Sequence, residues 1–148
     1  MPFWRIFFHL VWATKQREPM IDEIREQIIQ RSIRATCDEQ HVTIYGLGMM
    51  PDHLHLAVAV PPRIAVADLV KALKGSSSHL VNHEQSVKMH AFHERFYWQE
   101  EYGVLSFGER SLNEVVAYVQ NQREHHARKA ILPMFEQLER PYEPQGRG

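Results

Sequence analysis

The stretch Met49-Met50-Pro51-Asp52-His53-Leu54-His55-Leu56-Ala57-Val58-Ala59-Val60 predicts a turn followed by a strand. Side chains alternate between the faces of a strand, so His53 and His55 share one face while the leucines and valines share the other. Ala57 and Ala59 continue the histidine face with small side chains and leave room above it. Two imidazoles on one face can converge on a divalent metal. Histidines are also common on the open face of a half-buried strand, so a metal site needs a further ligand from elsewhere in the chain.

The segments around this strand alternate between strand and helix patterns. Turn residues Pro51-Asp52 join the histidine strand to the preceding one as a hairpin. Aromatic and β-branched residues near the N-terminus predict a central strand, and two later segments have apolar residues at helical spacing. The order strand, helix, strand, strand, helix, interrupted strand corresponds to residues 3–14, 21–39, 42–49, the histidine strand, 65–83 and 96–107. This order predicts an α+β fold, a ferredoxin-like (RRM-like) split βαβ antiparallel sheet with helices on one side.

An added C-terminal helix is predicted after the last strand. Ser111-Leu112-Asn113-Glu114 matches a capping box, and an apolar stripe then runs to about Lys129. Tyr118 and Gln122 lie one turn apart at the flank of this stripe, so both can face one cavity. Together with the two histidines, the Gln122 amide oxygen completes a set of metal ligands. The helix therefore supplies both a phenol and the missing ligand.

Composition and length indicate how many domains the chain forms, where the protein resides and whether a disulfide is possible. The 148 residues, 44% hydrophobic and 24% charged, predict one soluble globular domain over 1–148, with residues 84–94 as a loop and about 134–148 as a weakly structured tail. No signal sequence or apolar run of about 18 residues is present, so we expect a cytoplasmic protein without membrane contact. The single cysteine, Cys37, excludes an intramolecular disulfide and is expected to be a buried thiol.

The distribution of charged residues does not decide which residues contact nucleic acid. The net charge of −1 is unfavourable for phosphate binding unless cations are clustered on one face. Lys71, Lys74 and Ser78 form such a cluster on the second helix, where they can either contact phosphate or form a solvated face. His9 on the first strand can either approach the histidine pair or pack in the core.

These motifs resemble the HUH single-tyrosine transposases of small insertion sequences, which act on single-stranded DNA. His53-Leu54-His55 matches the signature of two histidines around a hydrophobic residue, and Tyr118-Val119-Gln120-Asn121-Gln122-Arg123-Glu124-His125-His126 is similar to the tyrosine helix. The resemblance also covers Leu73-Lys74-Gly75-Ser76-Ser77, Trp98-Gln99-Glu100 and Tyr102-Gly103, although Glu101 stands where relatives often have a small residue.

The resemblance implies a mechanism and a set of partners. Tyr118 would be the nucleophile, forming a 5′-phosphotyrosine and releasing a 3′ hydroxyl, and His53, His55 and Gln122 would hold Mg²⁺ or Mn²⁺. It also implies recognition of a DNA hairpin at the element end, and a homodimer in which the tyrosine helix of one subunit can complete the site of the other.

Three other functions remain to be compared with this one. A domesticated DNA-binding protein would bind hairpins without cutting, but it would not need all four of these residues. An RNA-binding ferredoxin-like module would be expected to carry a Lys/Arg-Gly-Phe-type strand signature, which the sequence lacks. In a small metal hydrolase the metal ligands would be required but Tyr118 would be dispensable.

Overall fold

The structure, a computed structural model, describes residues 2–84, 95–123 and 133–138. Residues 85–94 of the loop predicted at 84–94, residues 124–129 of the predicted C-terminal helix, which include His125 and His126, and the tail beyond residue 138 lie outside the described residues. The strands and helices are, in chain order, β1 (Phe7–Ala13), a 3₁₀ turn (Lys15–Arg17), α1 (Glu23–Glu39), β2 (Thr43–Met50), β3 (His53–Ala59), α2 (Val66–His83), β4 (Gly103–Phe107), a second 3₁₀ turn (Glu109–Ser111), α3 (Leu112–Gln120) and α4 (Pro133–Glu136).

The four strands form one antiparallel sheet in the order β2-β3-β1-β4. The central pair, β1 and β3, is the pair that the ferredoxin-like arrangement requires, so the predicted fold is confirmed. Strand β1 begins at Phe7 rather than at residue 3. Phe7 pairs with Ala59 and Phe107, the last residues of both neighbouring strands, and before it only one such bond continues the pairing, from the Val60 N–H to the Ile6 oxygen at 3.0 Å among the described residues.

The first face of the sheet is covered by α1 and α2. Leu10 and Trp12 of β1 and Leu54 and Leu56 of β3 are completely buried there, as their alternation along the strands predicts. Cys37 of α1 is buried in the same core. Burial raises the pKa of the Cys37 thiol to about 12, so it stays protonated at neutral pH.

The opposite face of the sheet carries α3 and α4. Val115 and Val119 of α3 pack against Ala57 of β3, whose small side chain leaves space for the helix. Phe135 of α4 packs beside them. The added C-terminal helix therefore lies over the face on which the sequence places the two histidines.

The predicted capping box at the start of α3 is wrong. A capping residue has an extended backbone and accepts a hydrogen bond from the first turn through its side chain. Ser111 instead ends the 3₁₀ turn Glu109–Ser111, has helical angles (φ −93°, ψ −3°) and makes no capping side-chain hydrogen bond. The 3₁₀ turn has already placed the backbone in a helical conformation, so the Ser111 side chain does not cap α3.

Helix α1 starts with a side-chain cap, since Asp22 accepts a hydrogen bond from the Arg25 backbone N–H at 2.8 Å and pairs with its guanidinium at 2.6 Å. Helix α2 is longer but has no such cap. Among the described residues, every helix is too short or too polar to cross a bilayer.

Candidate active site and metal centre

His53 and His55 lie side by side on the face of β3 that α3 covers. Both side chains are buried, and their ring centroids are 5.2 Å apart. His55 sits in the middle of the sheet, where its neighbours are Val11 on β1 and Gly48 on β2. The strand therefore presents two fixed imidazoles to whatever lies above this face.

Gly48 determines how close α3 comes to the histidines. A Cβ atom at this position would lie 1.8 Å from the backbone oxygen of Val119, well inside any real contact distance. Only a residue without a side chain lets the helix approach this closely. Because Gly48 pairs with His55, the close approach brings the Tyr118 ring to 5.9 Å from the His55 ring.

Tyr118 of α3 points into this space, and Gln122, two residues beyond the end of α3 at Gln120, lies beside Gly48, where an added Cβ would be 3.1 Å from the Gln122 Cγ. Tyr118 is 4% exposed, and its hydroxyl donates a hydrogen bond of 2.8 Å to Oε1 of Glu136. The amide nitrogen of Gln122 donates to the Tyr118 backbone oxygen at 2.7 Å, while its Oε1 atom is buried and has no hydrogen-bond partner among the described residues. A buried oxygen acceptor of this kind suits a metal ligand.

Glu136 of α4 is a site residue that the sequence reasoning missed. Its Oε2 atom lies 3.0 Å from Nε2 of His55 and 3.5 Å from Nε2 of His53. Burial alone raises the pKa of Glu136, but hydrogen bonds from His55 and Tyr118 and the charges of both histidines outweigh this and lower it to about 2. The carboxylate is therefore ionised at neutral pH and faces both imidazoles.

The three side chains fit a divalent metal ion. One ligand atom from each of His53, His55 and Glu136 lies within 4.8 Å of the others, and the unpartnered Gln122 oxygen adds a fourth donor on the same side of the sheet. A mixture of imidazole nitrogen with carboxylate and amide oxygen suits Mn²⁺ or Mg²⁺ better than a soft metal. The predicted ligand set of two histidines and Gln122 thus gains a carboxylate.

A second glycine brings Glu136 to the site. A Cβ atom at Gly103 of β4 would lie 2.0 Å from the backbone oxygen of Gln137, so the C-terminal segment lies directly against the strand. Phe135 then packs edge-on against the rings of His9 and Tyr118, both at 5.0 Å between centroids. The sequence signal was weak, namely a proline at the first position of a short helix, followed by an aromatic and an acidic residue.

Asp52 and His9 hold the two histidines in position. Nδ1 of His53 donates to the Asp52 carboxylate at 2.6 Å, which directs its Nε2 towards Glu136, and Arg17 approaches Asp52 at 3.7 Å. Nδ1 of His55 is hydrogen-bonded to Nε2 of His9 at 2.7 Å. Burial, reinforced by His55, lowers the pKa of His9 to about 3, so this ring is neutral at neutral pH. His9 therefore supports His55 from behind and is not one of the converging ligands.

The predicted DNA contacts lie elsewhere. Lys71, Lys74 and Ser78 are on α2, on the opposite face of the sheet from the histidines. The Lys74 ammonium group donates to three backbone oxygens of residues 99–101, at 2.6, 2.8 and 3.0 Å. Lys74 is therefore already occupied, whereas the Lys71 side chain is exposed.

Comparison with known proteins agrees with these features. A family profile described as "Transposase IS200 like" matches residues 2–122, a span that contains His53, His55, Tyr118 and Gln122 but not Glu136. The ISDra2 transposase TnpA of Deinococcus radiodurans is 27% identical over 128 residues, which cover 82% of this chain and 86% of that protein. The transposase of insertion sequence IS200 from Salmonella typhimurium is 25% identical over 139 residues, or 94% of this chain and 87% of the relative.

Two solved structures share the fold. The crystal structure of a protein described as a candidate transposase from Deinococcus radiodurans R1 superposes with a TM-score of 0.61 at 28% identity, covering 82% of this chain and 93% of the other. A REP-associated tyrosine transposase bound to a REP hairpin gives a TM-score of 0.63 at 13% identity, covering 85% and 74%. Because the family profile spans most of the chain, from the first strand to the end of the tyrosine helix, the chain belongs to the IS200-like transposase family.

Proposed function

We propose that this transposase cuts and rejoins single-stranded DNA through a covalent bond to Tyr118. The observation that carries the proposal is the position of the Tyr118 hydroxyl, which is hydrogen-bonded to the same Glu136 carboxylate that contacts His53 and His55. A buried tyrosine hydroxyl beside a metal-ligand set is an arrangement suited to nucleophilic attack on a phosphate.

The proposed reaction consists of two successive displacements at phosphorus. In the first, the Tyr118 oxygen forms a bond to phosphorus while the bond to the 3′ oxygen breaks, which leaves a 5′-phosphotyrosine and a free 3′ hydroxyl after protonation. In the second, a 3′ hydroxyl attacks the phosphotyrosine and restores the phenol. The intermediate conserves the energy of the phosphodiester, so strand transfer needs no nucleotide cofactor.

His53, His55, Glu136 and Gln122 would hold the metal ion. A bound Mg²⁺ or Mn²⁺ polarises the scissile phosphate and stabilises the charge that develops on it. Asp52 and His9 keep the two imidazole rings oriented, and α3 keeps Tyr118 against them. The ordinary phenol pKa is about 10, so Tyr118 must lose its proton as it attacks.

The proposed substrate is a DNA strand that carries a hairpin near the element end. The REP-associated relative, which has the same fold, is bound to a REP hairpin, and this supports the same class of ligand here. A homodimer is also part of the proposal. In such a dimer the tyrosine helix completes the site either of its own chain, the arrangement seen here for Tyr118 and His55, or of the partner subunit.

The test is an adduct assay with single-stranded DNA from the flanks of this protein's own gene and Mn²⁺, run on a denaturing gel. We expect a metal-dependent shifted band for the wild type and none for Tyr118→Phe, which should still bind the strand. An adduct that persists in Tyr118→Phe would refute the nucleophile. Tight hairpin binding by a wild type that never forms an adduct would favour the regulator that binds without cutting.

A further inference from the structure

The attack of Tyr118 on phosphorus requires a group that takes the phenol proton. Tyr118 is only 4% exposed, so bulk water has little access to its hydroxyl. The hydroxyl donates a hydrogen bond of 2.8 Å to Oε1 of Glu136. A general base must lie within about 2.6–3.2 Å of the atom that carries the proton. Glu136 meets this requirement in the structure as it stands.

The two oxygens of the Glu136 carboxylate face different groups. Oε2 lies 3.0 Å from Nε2 of His55 and 3.5 Å from Nε2 of His53, whereas Oε1 accepts the hydrogen bond from Tyr118. A ligand role for Oε2, on the side of the imidazoles, leaves Oε1 in contact with the phenol. One carboxylate can therefore serve both the metal-ligand set and the nucleophile, because each uses a different oxygen.

The neighbouring imidazoles are less suited to accept this proton. His9 packs edge-on against the Tyr118 ring at 6.5 Å between centroids, and its Nε2 is hydrogen-bonded to Nδ1 of His55 at 2.7 Å. His53 and His55 direct their Nε2 atoms towards Glu136, and a nitrogen that binds a metal has no lone pair left for a proton.

The position of the Glu136 carboxylate is fixed by the residues on either side of it. Phe135 packs edge-on against the rings of His9 and Tyr118, both at 5.0 Å between centroids. On the other side, the backbone oxygen of Gln137 lies against Gly103 of β4. The carboxylate thus stands beside the hydroxyl before any reaction, so its position need not be ordered during the attack.

A carboxylate is basic enough for this reaction although a phenol is a weak acid. The ordinary pKa is about 10 for a phenol and about 4.3 for a glutamate side chain, so the proton stays on the phenol before the attack. As the bond from oxygen to phosphorus forms, the oxygen loses electron density and its proton becomes more acidic than a carboxylic acid. The proton can then move to the carboxylate during the attack.

We propose that Glu136 is the general base that takes the Tyr118 proton and the general acid that returns it. The inference rests on the proposed function, because it assumes that Tyr118 attacks phosphorus. In the first displacement the O–H bond of Tyr118 breaks, the proton moves to Oε1 of Glu136, and the departing 3′ oxygen takes a proton from water. In the second, the attacking 3′ hydroxyl releases its proton to water. Oε1 then returns its proton to the phenol oxygen as the bond from that oxygen to phosphorus breaks.

The test changes the acidity of the nucleophile and the basicity of its partner separately. Tyr118 is replaced by 3,5-difluorotyrosine, whose phenol is more acidic and needs a base less. Glu136→Gln removes the basic carboxylate and keeps its size, and Glu114→Gln, at an exposed position of α3, is the matched control for the loss of one negative charge.

Adduct formation with a strand from the flanks of the gene is followed against time. Each variant is assayed at a Mn²⁺ concentration that saturates it, as determined by calorimetry, so that a weaker metal affinity does not affect the rate. Thermal unfolding checks that the variants are folded.

We expect Glu136→Gln to slow adduct formation by about 100- to 10,000-fold, the usual contribution of a general base, and Glu114→Gln to keep the wild-type rate. With 3,5-difluorotyrosine in place of Tyr118, Glu136→Gln should slow the reaction by less than about 10-fold. If Glu136→Gln does not fold, Glu136→Asp takes its place, since it keeps the charge but withdraws the carboxylate. Its smaller loss of rate should also be relieved by difluorotyrosine.

The general base and the nucleophile fail in different ways. Equal adduct rates for the wild type and Glu136→Gln would overturn the base, and so would a loss of rate that difluorotyrosine does not relieve. In both cases Tyr118 would remain the nucleophile. A wild type that forms no adduct on Tyr118 would overturn both proposals.

Discussion

Replacing Gly48 by alanine tests whether the close approach of α3 to the sheet places the nucleophile. The added methyl group would lie 1.8 Å from the Val119 backbone oxygen, which is 1.6 Å short of the 3.4 Å at which ordinary contact begins. A backbone oxygen cannot rotate away, so the helix must move by about 1 Å or more. Tyr118 precedes Val119 and would move with it, while His53 and His55 stay on β3.

We expect Gly48→Ala to lower both the stability of the fold and the rate of adduct formation. Overpacking of this kind typically destabilises a protein by about 1–3 kcal/mol. A misplacement of about 1 Å in a catalytic site can lower the rate by about 100-fold. We therefore expect Gly48→Ala to remain folded at 20 °C and to form the Tyr118 adduct about 100 times more slowly, measured as band intensity against time.

Gly46 on the same strand offers a matched control. A Cβ atom there would meet its nearest neighbours, the side chains of Gln120, Val116 and Val119, at 3.5 Å, which is ordinary contact. Gly46→Ala should therefore keep nearly the wild-type rate. Wild-type stability and adduct rate in Gly48→Ala would refute the reasoning, because they would mean that α3 does not rest on Gly48 as described.

Three further substitutions test the parts of the site separately. Asp52→Ala should lower Mn²⁺ affinity by about 10- to 100-fold in calorimetric titrations, since His53 loses its orienting partner; an unchanged affinity would contradict that role. Glu136→Ala should also weaken Mn²⁺ binding and slow the adduct, whereas faster adduct formation would mean that the carboxylate competes with the DNA phosphate instead of holding the metal. Lys74→Met should lower the free energy of unfolding by about 1–3 kcal/mol, measured in urea, because the bonds from Lys74 to three backbone oxygens are lost. Lys71→Met, at an exposed position, should not lower it. Equal stability of the two variants would argue that these bonds do not stabilise the fold.

The fold was predictable because its signals are local and agree with one another. Alternation along β1 and β3 assigns Leu54 and Leu56 to one core and His53 and His55 to the other face, and the structure places them so. Helical spacing also predicted that Tyr118 and Gln122 lie next to each other, and the Gln122 amide does donate to the Tyr118 backbone oxygen, although α3 ends at Gln120. These are properties of a strand or a helix by itself, and tertiary contacts did not override them.

The features that could not be predicted from the sequence depend on contacts between segments that are distant in sequence. Glu136 reaches the site only because Gly103 lets the C-terminal segment lie on β4, and no local pattern connects these two positions. Lys74 looked like a phosphate ligand because sequence shows its charge but not the three backbone oxygens that occupy it. The Ser111 pattern failed because the preceding 3₁₀ turn fixes its backbone.

The most direct test of the central claim is to locate the nucleotide on the protein. The adduct formed with Mn²⁺ and a flanking strand is digested with trypsin and nuclease, and the modified peptide is sequenced by mass spectrometry. The account predicts a 5′-linked nucleotide on the hydroxyl of Tyr118. A nucleotide on another side chain, or cleaved DNA with no modified peptide, would contradict it.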